Sequence, residues 1–106
     1  MEVFLKNRKG MIYARGEYNE DDGSLTVFKG SVISADVAGG TFRSAKAVNK
    51  LRNNPDIVNG NSVINDVVFK SPSAAANFIT GTSTNGLKAW KNKDMVPLKE
   101  ILYKSE

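Results

Sequence analysis

Cysteine and histidine are both missing from the 106 residues of this sequence. Without cysteine the chain forms no disulfide and offers no thiolate, which fits the reducing cytoplasm. Without histidine it lacks the commonest general base, the serine–histidine and cysteine–histidine pairs of nucleophilic enzymes, and the imidazole ligands of ordinary zinc sites. We therefore expect a cytoplasmic protein that is not an enzyme and that holds neither a metal ion nor a cofactor.

Long apolar segments are missing as well. No run approaches the length of about 18 residues that a membrane-spanning helix needs, and residues 1–6 lack the layout of a signal peptide. We therefore expect no association with a membrane. The hydrophobic share of 41% and the charged share of 25% are near the averages of globular proteins and argue against disorder. A chain of this length suits one domain, which we expect residues 1–106 to form.

Acidic residues stand together at one place only, in the run Glu20, Asp21 and Asp22. These carboxylates leave open a metal site, and with it an enzyme that acts on phosphodiesters through carboxylate-bound metal ions. The flanking Asn19 and Gly23 favour a different interpretation, because Asp, Asn and Gly are residues typical of tight turns. A solvated turn is the interpretation that we prefer.

Basic residues gather in two stretches that contain no acid. The net charge of the chain is only +4, which by itself says little about partners. The acid-free stretches span residues 37–54 and 67–93, and blocks of this kind can form a surface that attracts phosphate groups. The basic residues are Arg43, Lys46, Lys50 and Arg52 in the first stretch, and Lys70, Lys88, Lys91 and Lys93 in the second.

The first third of the chain predicts antiparallel strands. Residues 3–5, 11–18 and 24–29 are rich in β-branched and aromatic side chains or alternate between apolar and polar ones. Residues 30–34 are expected to continue the last of these strands through a bend at a glycine. Gly10 suits the left-handed position of a hairpin turn between the first two strands. Together these signals predict an antiparallel meander of about three strands.

Helices and one further strand are predicted in the rest of the chain. A helix is expected over residues 44–53, because its apolar residues fall on one face at 100° per residue. Residues 62–69 favour a strand, and residues 97–103 favour a short terminal helix. The elements together predict an α+β fold, in which two or three short helices pack on an N-terminal antiparallel β-meander.

The clearest local signal starts at Ser71. Its hydroxyl suits an N-cap, and Pro72 then occupies the first helical position, where a missing N–H matters little. Gly81 is a natural stop for this helix. The following Asn85-Gly86 is typical of a turn, after which residues 87–90 are expected to return as a short strand or turn.

The same segment carries a resemblance to known domains. The chain resembles a bacterial domain family of unknown function that occurs in restriction-modification and GIY-YIG nuclease proteins, and it is similar to the RAMA module of restriction enzymes and adenine methylases. In that pattern the Asn-Gly pair is followed by a tryptophan, where this chain has Leu87. The matching residues are Phe69, Ser71 to Ala76, Gly81, Asn85-Gly86, Trp90 and Lys91, with weaker matches at Ala14-Arg15-Gly16, Val27 to Ser31 and Leu51-Arg52.

The resemblance implies an α+β accessory domain, without catalytic activity, in proteins that act on DNA. Our first hypothesis is therefore a DNA-binding module linked to restriction-modification or nuclease systems. An anion would bind at the amides of the helix start, lysines would contact phosphates, and an aromatic ring would stack on bases. The candidate residues are Lys70, Ser71 and Ser73 at the helix start; Asn85, Lys88, Trp90, Lys91 and Lys93 around the Asn-Gly turn; and Arg43, Lys46 and Lys50 on the first helix.

Each of these features also has an explanation in folding alone. The two serines suit helix capping, Trp90 suits a core position because of its large apolar area, and the lysines suit a solvated surface. A second hypothesis is therefore a docking module for a protein partner such as a nuclease or methylase subunit. The oligomeric state stays open, because the sequence does not tell whether the meander has a free edge.

Overall fold

The computed structural model of the protein describes residues 1–7, 10, 12–34 and 45–103. Its first three strands follow one another along the chain. The strands are β1 (Glu2–Lys6), β2 (Tyr13–Tyr18), β3 (Leu25–Val27), β4 (Val58–Asn59), β5 (Ser62–Val63) and β6 (Val67–Phe69). The helices are α1 (Ala45–Arg52), α2 (Pro72–Thr80), α3 (Gly86–Ala89) and α4 (Leu98–Leu102).

Four of the strands form one antiparallel sheet in the order β1-β2-β3-β6. The predicted N-terminal meander is therefore confirmed, and with the four helices it makes the fold α+β, as the sequence predicted. The strand predicted over residues 62–69 is divided in two. Its first part pairs with β4 as a separate two-stranded hairpin, while its last part, β6, joins the edge of the main sheet beside β3.

One side of the sheet is packed and the other is open to solvent. Side chains alternate along each strand, so Val3, Leu5 and Ala14 point inward and are buried. The residues between them point outward, and Tyr13 is 46% exposed. Helix α2 covers the inner side, where it packs against β3 and β6. The outer side therefore presents a sheet surface that the described helices leave uncovered.

Helix α2 has the boundaries that the sequence predicted. Ser71 is its N-cap, and the Ser71 hydroxyl accepts a hydrogen bond from the Ala74 amide at 3.1 Å. Gly81 ends the helix in the left-handed conformation with a φ of 76°. Phe78 and Ile79 are fully buried on its inner face. Capping and the apolar stripe therefore place this helix by local chemistry alone.

Two predictions about local structure were wrong. Of the short strand or turn expected for residues 87–90, the strand is wrong, because Asn85 caps the single-turn helix α3 by accepting from the Leu87 amide at 3.1 Å. Residues 30–34 do not continue β3. The chain turns at Gly30, after which Val32 forms isolated bridges to β2 and β5. In both places a local hydrogen bond or a turn replaces the expected strand.

Arg52 links α1 to the C-terminal end of α2 through hydrogen bonds. Its guanidinium donates to the carbonyl oxygens of Phe78 at 3.0 Å and Ile79 at 3.1 Å, in the last turn of α2. It also donates to the carbonyl oxygen of Ser34 at 2.8 Å and to the Ser34 hydroxyl at 3.0 Å. Partial burial lowers the pKa of Arg52 from its ordinary value through desolvation. The cation thus satisfies carbonyls that a helix end leaves without partners.

Among the described residues, no helix combines the length and the apolar character that crossing a membrane would require.

Candidate functional site

The start of α2 is held by contacts from the segment around α3. The Ser73 hydroxyl accepts from the Gly86 amide at 3.0 Å, and the indole N–H of Trp90 donates to the Pro72 carbonyl oxygen at 3.0 Å. Gly86 lies so close to the Pro72–Ser73 peptide that a Cβ on it would stand 2.1 Å from the Pro72 carbonyl carbon. We call Pro72, Ser73, Gly86 and Trp90 the Pro72 cluster.

Trp90 is a core residue and not a base-stacking one. It is 0% exposed, and its only polar atom is already paired within the Pro72 cluster. The hypothesis that its ring stacks on a base is therefore corrected, because the ring has no free face in this structure. Its large apolar area fills the centre of the fold, which is the alternative role that the sequence allowed.

The helix start is likewise occupied by the protein itself. The hydroxyls of Ser71 and Ser73 both accept hydrogen bonds from backbone amides of the chain. Gly86 covers the first peptide of α2, so an anion would have to displace it. The structure gives both serines a structural role, while anion binding at Ser71 and Ser73 stays a prediction. Leu87 follows this turn and packs half-buried against the core.

The other predicted site residues are exposed on different elements of the fold. Lys46 and Lys50 are exposed on α1, which packs against α2. Lys70 is exposed between β6 and α2. Asn85 and Lys88 are exposed at the start and within the turn of α3. Arg43 lies outside the described residues.

Lys91 and Lys93 belong to the sheet. The Phe4 amide donates to the Lys91 carbonyl oxygen at 2.7 Å, and the Lys91 amide donates to the Phe4 carbonyl oxygen at 2.9 Å. Lys91 therefore extends the sheet beyond β1, and as the antiparallel partner of Phe4 it points to the same side. Lys93 is exposed in the loop that follows.

The outward side chains of the sheet alternate between cations and aromatic rings. Lys91, Phe4 and Arg15 are successive partners across the sheet, and in the adjoining row Lys6 is paired with Tyr13. The rings of Phe4 and Tyr13 lie 6.5 Å apart, centroid to centroid. We call Phe4, Lys6, Tyr13, Arg15 and Lys91 the outer face. Mixed cations and rings of this kind suit a ligand that is both anionic and aromatic.

Acidic residues border the outer face on one side. Glu2 and Glu17 are paired across β1 and β2, and Glu2 accepts from the Arg15 guanidinium at 3.3 Å. Both partners of this ion pair are about half exposed, with 50% and 51% of their side chains open, so the pair holds Arg15 weakly. The Arg15 guanidinium also lies 5.1 Å from the centroid of the Phe28 ring. Arg15 is thus free to exchange Glu2 for another anion.

Sequence reasoning missed four of the five outer-face residues. Only Lys91 was among the candidates, because both acid-free stretches begin after β1 and β2. A signal was present in β1 and β2, where the outward positions of the alternating pattern read Phe4, Lys6, Tyr13 and Arg15. Which of these residues lie side by side depends on which strands pair and in which register. The alternating pattern alone therefore does not predict the outer face.

The acidic turn makes local hydrogen bonds. Asn19 accepts from the Asp21 amide and Asp22 accepts from the Ser24 amide, each at 2.9 Å, while Gly23 takes a φ of 75°. Hydrogen bonds from Ser24 lower the pKa of Asp22. Within the described part of the chain, no three acidic side chains are grouped as metal ligands. The turn interpretation therefore accounts for these residues.

A hairpin loop stands beside the outer face. Its residues and the outer face border an open depression of about 220 Å³, which we call the outer cavity. Asn92 closes the loop by accepting from the amides of Asp94 and Val96. Met95 is the only described residue other than glycine with a positive φ, 66°, and its side chain is 51% exposed. The cavity is lined by Phe4, Lys6, Tyr13, Asn92, Lys93 and Met95.

Replacing Met95 with glycine should raise the free energy of unfolding by up to about 1 kcal/mol, because the left-handed conformation is unfavourable for a residue with a Cβ. Met95→Ala keeps the Cβ and removes the thioether chain, so it should show no such gain. Urea denaturation of both variants measures the difference. Equal stability of the two variants would contradict the presence of strain at Met95.

Comparisons with known proteins give the family of this chain. Neither the search of curated proteins nor the search of solved structures found a match. A family model described as Domain of unknown function (DUF4357) matches residues 3–102, which is nearly the whole chain. The chain therefore belongs to this family of unknown function.

Proposed function

We propose that the chain is a non-enzymatic DNA-binding module that contacts DNA through the outer face. The observation that carries this proposal is the row of Lys91, Phe4 and Arg15, joined by Lys6 and Tyr13 in the next row. Cations beside the exposed ring of Tyr13 and the half-buried ring of Phe4 match the two parts of a nucleotide, since phosphates pair with lysine and arginine while bases stack on aromatic side chains.

The spacing of the sheet supports contacts to more than one phosphate. Neighbouring strands lie about 4.8 Å apart, so Lys91 and Arg15 are separated by two such steps, about 10 Å. Phe4 lies between them in the row. Glu2 and Glu17 repel phosphates at one border, which directs a strand of DNA toward the side of Lys6.

The cellular setting of this activity is part of the proposal. The resemblance to modules of restriction-modification, nuclease and RAMA-type methylase proteins supports an accessory role beside an enzyme that acts on DNA. The lack of histidine and cysteine supports the view that the chemistry belongs to that enzyme. A cytoplasmic location follows from the same setting.

A salt titration of DNA binding tests the proposal. Affinity for a labelled oligonucleotide, measured by fluorescence anisotropy, should fall steeply between about 50 and 200 mM salt, because phosphate contacts release counterions. Duplex and single-stranded oligonucleotides of the same sequence are compared in parallel. An absence of binding at the lowest salt would refute the proposal.

Charge reversal identifies the surface that binds. In Lys6→Glu/Lys93→Glu we expect DNA affinity to fall at least tenfold, and the salt slope to decrease by about 1.4 on single-stranded DNA, since each lost phosphate contact contributes about 0.7. Lys46→Glu/Lys50→Glu has the same net charge but changes α1, and it should bind nearly as the wild type does. A larger loss of DNA affinity in the α1 variant would mean that α1, and not the outer face, is the binding surface.

The free edge of the sheet favours a second candidate function, docking to a protein. Among the described strands none pairs with the outer edge of β6, where Val68 is 69% exposed and the nearby Ile64 is 40% exposed. An unpaired edge with apolar side chains can add a strand from a partner, here a nuclease or methylase subunit. Val68→Lys should then abolish a stoichiometric complex with that subunit while DNA binding persists.

A further inference from the structure

We propose that the outer cavity holds a single unpaired nucleobase, so that the chain prefers single-stranded DNA to duplex DNA. This inference rests on the proposed function and names the form of its ligand. The cavity of about 220 Å³ opens at the outer face, between the rings of Phe4 and Tyr13 and the hairpin loop of residues 92–96. It combines apolar walls with two lysines, Lys6 and Lys93.

The aromatic wall offers a stacking surface. The rings of Phe4 and Tyr13 are inclined to each other by 41°, so they do not cover one another face to face. Tyr13 is 46% exposed, so part of its surface is accessible to a ligand. A ring of this kind meets a base only when the base has left the helical stack, because in a duplex both of its faces are covered by neighbouring bases.

Met95 also lines the outer cavity, and its conformation argues for a ligand. The residue holds a strained φ of 66° while its apolar side chain is 51% exposed beside the cavity. Glycine, asparagine or aspartate would relieve the strain and remove the exposed apolar area. Strain of this kind gathers at binding sites, and methionine adapts its shape to flat ligands. A base between Tyr13 and Met95 would account for both properties.

The charges around the cavity suit the phosphates of the same strand. The residues that line it include Lys6 and Lys93 and no acid. A neighbouring cavity of about 340 Å³ is larger, but its lining includes the carboxylates of Glu2 and Asp94, which repel phosphate. The smaller cavity is therefore the better site for a base that carries a phosphate on each side.

Binding of oligothymidine and of an abasic oligonucleotide of equal length tests this proposal in the full chain. The wild type should bind oligothymidine about tenfold more tightly than the abasic strand, which matches the contribution of one stacked base. Tyr13→Ala should lose this preference, and Tyr13→Phe, which keeps the ring, should retain it. Because Tyr13 is half exposed, both variants are expected to fold, which circular dichroism confirms before binding is measured.

The outcomes separate this proposal from the function on which it rests. Equal affinity of the wild type for the two strands would overturn the base site and leave the phosphate contacts of the outer face standing. Failure to bind either strand, and a duplex of the same length as well, at low salt would overturn both. Free thymidine monophosphate is a further arm: it should bind far more weakly than the strand, and equal affinity would overturn the assignment to single-stranded DNA in favour of a nucleotide.

Discussion

Replacing Gly86 with alanine should lower the free energy of unfolding by about 3 kcal/mol, the upper part of the usual range for overpacking. The added Cβ would lie 2.1 Å from the carbonyl carbon of Pro72 and 2.3 Å from the amide nitrogen of Ser73. Both atoms belong to the backbone of α2, so no side-chain rotation can relieve the contact. The helix start and α3 must separate, which weakens the Trp90 hydrogen bond to Pro72 as well.

Gly60→Ala is the matched control for this prediction. Gly60 has a φ of 63° and no atom within 4 Å of the position of a Cβ, so the substitution introduces backbone strain without a steric contact. It should lower the free energy of unfolding by only about 1 kcal/mol. Urea denaturation compares the two variants. A loss at Gly86 no larger than the loss at Gly60 would contradict the close approach described for the Pro72 cluster.

Replacing Arg52 with alanine should lower the free energy of unfolding by about 3 kcal/mol. The substitution removes four hydrogen bonds from the guanidinium, and bonds to a charged group contribute about 1.5–3 kcal/mol each in favourable cases. Their effects do not add fully, because all four come from one group and Arg52 is only partly buried. The carbonyl oxygen of Phe78 would be left without the donor that Arg52 supplies.

Arg52→Lys shows whether geometry or charge produces this stability. Lysine keeps the positive charge but cannot direct several donors along a planar fork, so it should lose about 2 kcal/mol of the stability. Lys50→Ala, at an exposed position of the same helix, should change stability by no more than about 0.5 kcal/mol. If Arg52→Lys kept the free energy of unfolding of the wild type, the positive charge alone would account for the stabilising contact between α1 and α2.

Local chemistry made part of this fold predictable. Helix α2 was predicted with its cap, its first-turn proline and its stop at Gly81, because each of these signals acts within a few residues of its own position. The alternation in β1 and β2 gave the meander for the same reason. Local signals did not predict α3 at Asn85-Gly86, because a turn and a helix cap use the same residue types. The glycine itself is required by the contact with Pro72, which lies far away in the sequence.

The candidate site was less predictable, because it depends on contacts between distant parts of the chain. Lys91 and Phe4 are neighbours only because the segment after α3 pairs with β1. Trp90 was proposed as a base-stacking residue among the lysines around the Asn-Gly turn, whereas the fold buries it. In the segment from Phe69 to Lys91, most of the residues that resemble the family pattern cap or bury α2 and α3 or belong to the Pro72 cluster. The resemblance therefore reports how the domain folds more than what it binds.

Nuclear magnetic resonance mapping of the DNA-binding surface tests the central claim most directly. Backbone amide signals of the ¹⁵N-labelled chain are followed while single-stranded DNA is added at low salt. The account predicts that the signals of Phe4, Tyr13 and Met95 shift the most, while those of Gly86 and Lys50 stay in place. Shifts concentrated at Gly86 or Lys50, with none on the outer face, would contradict it.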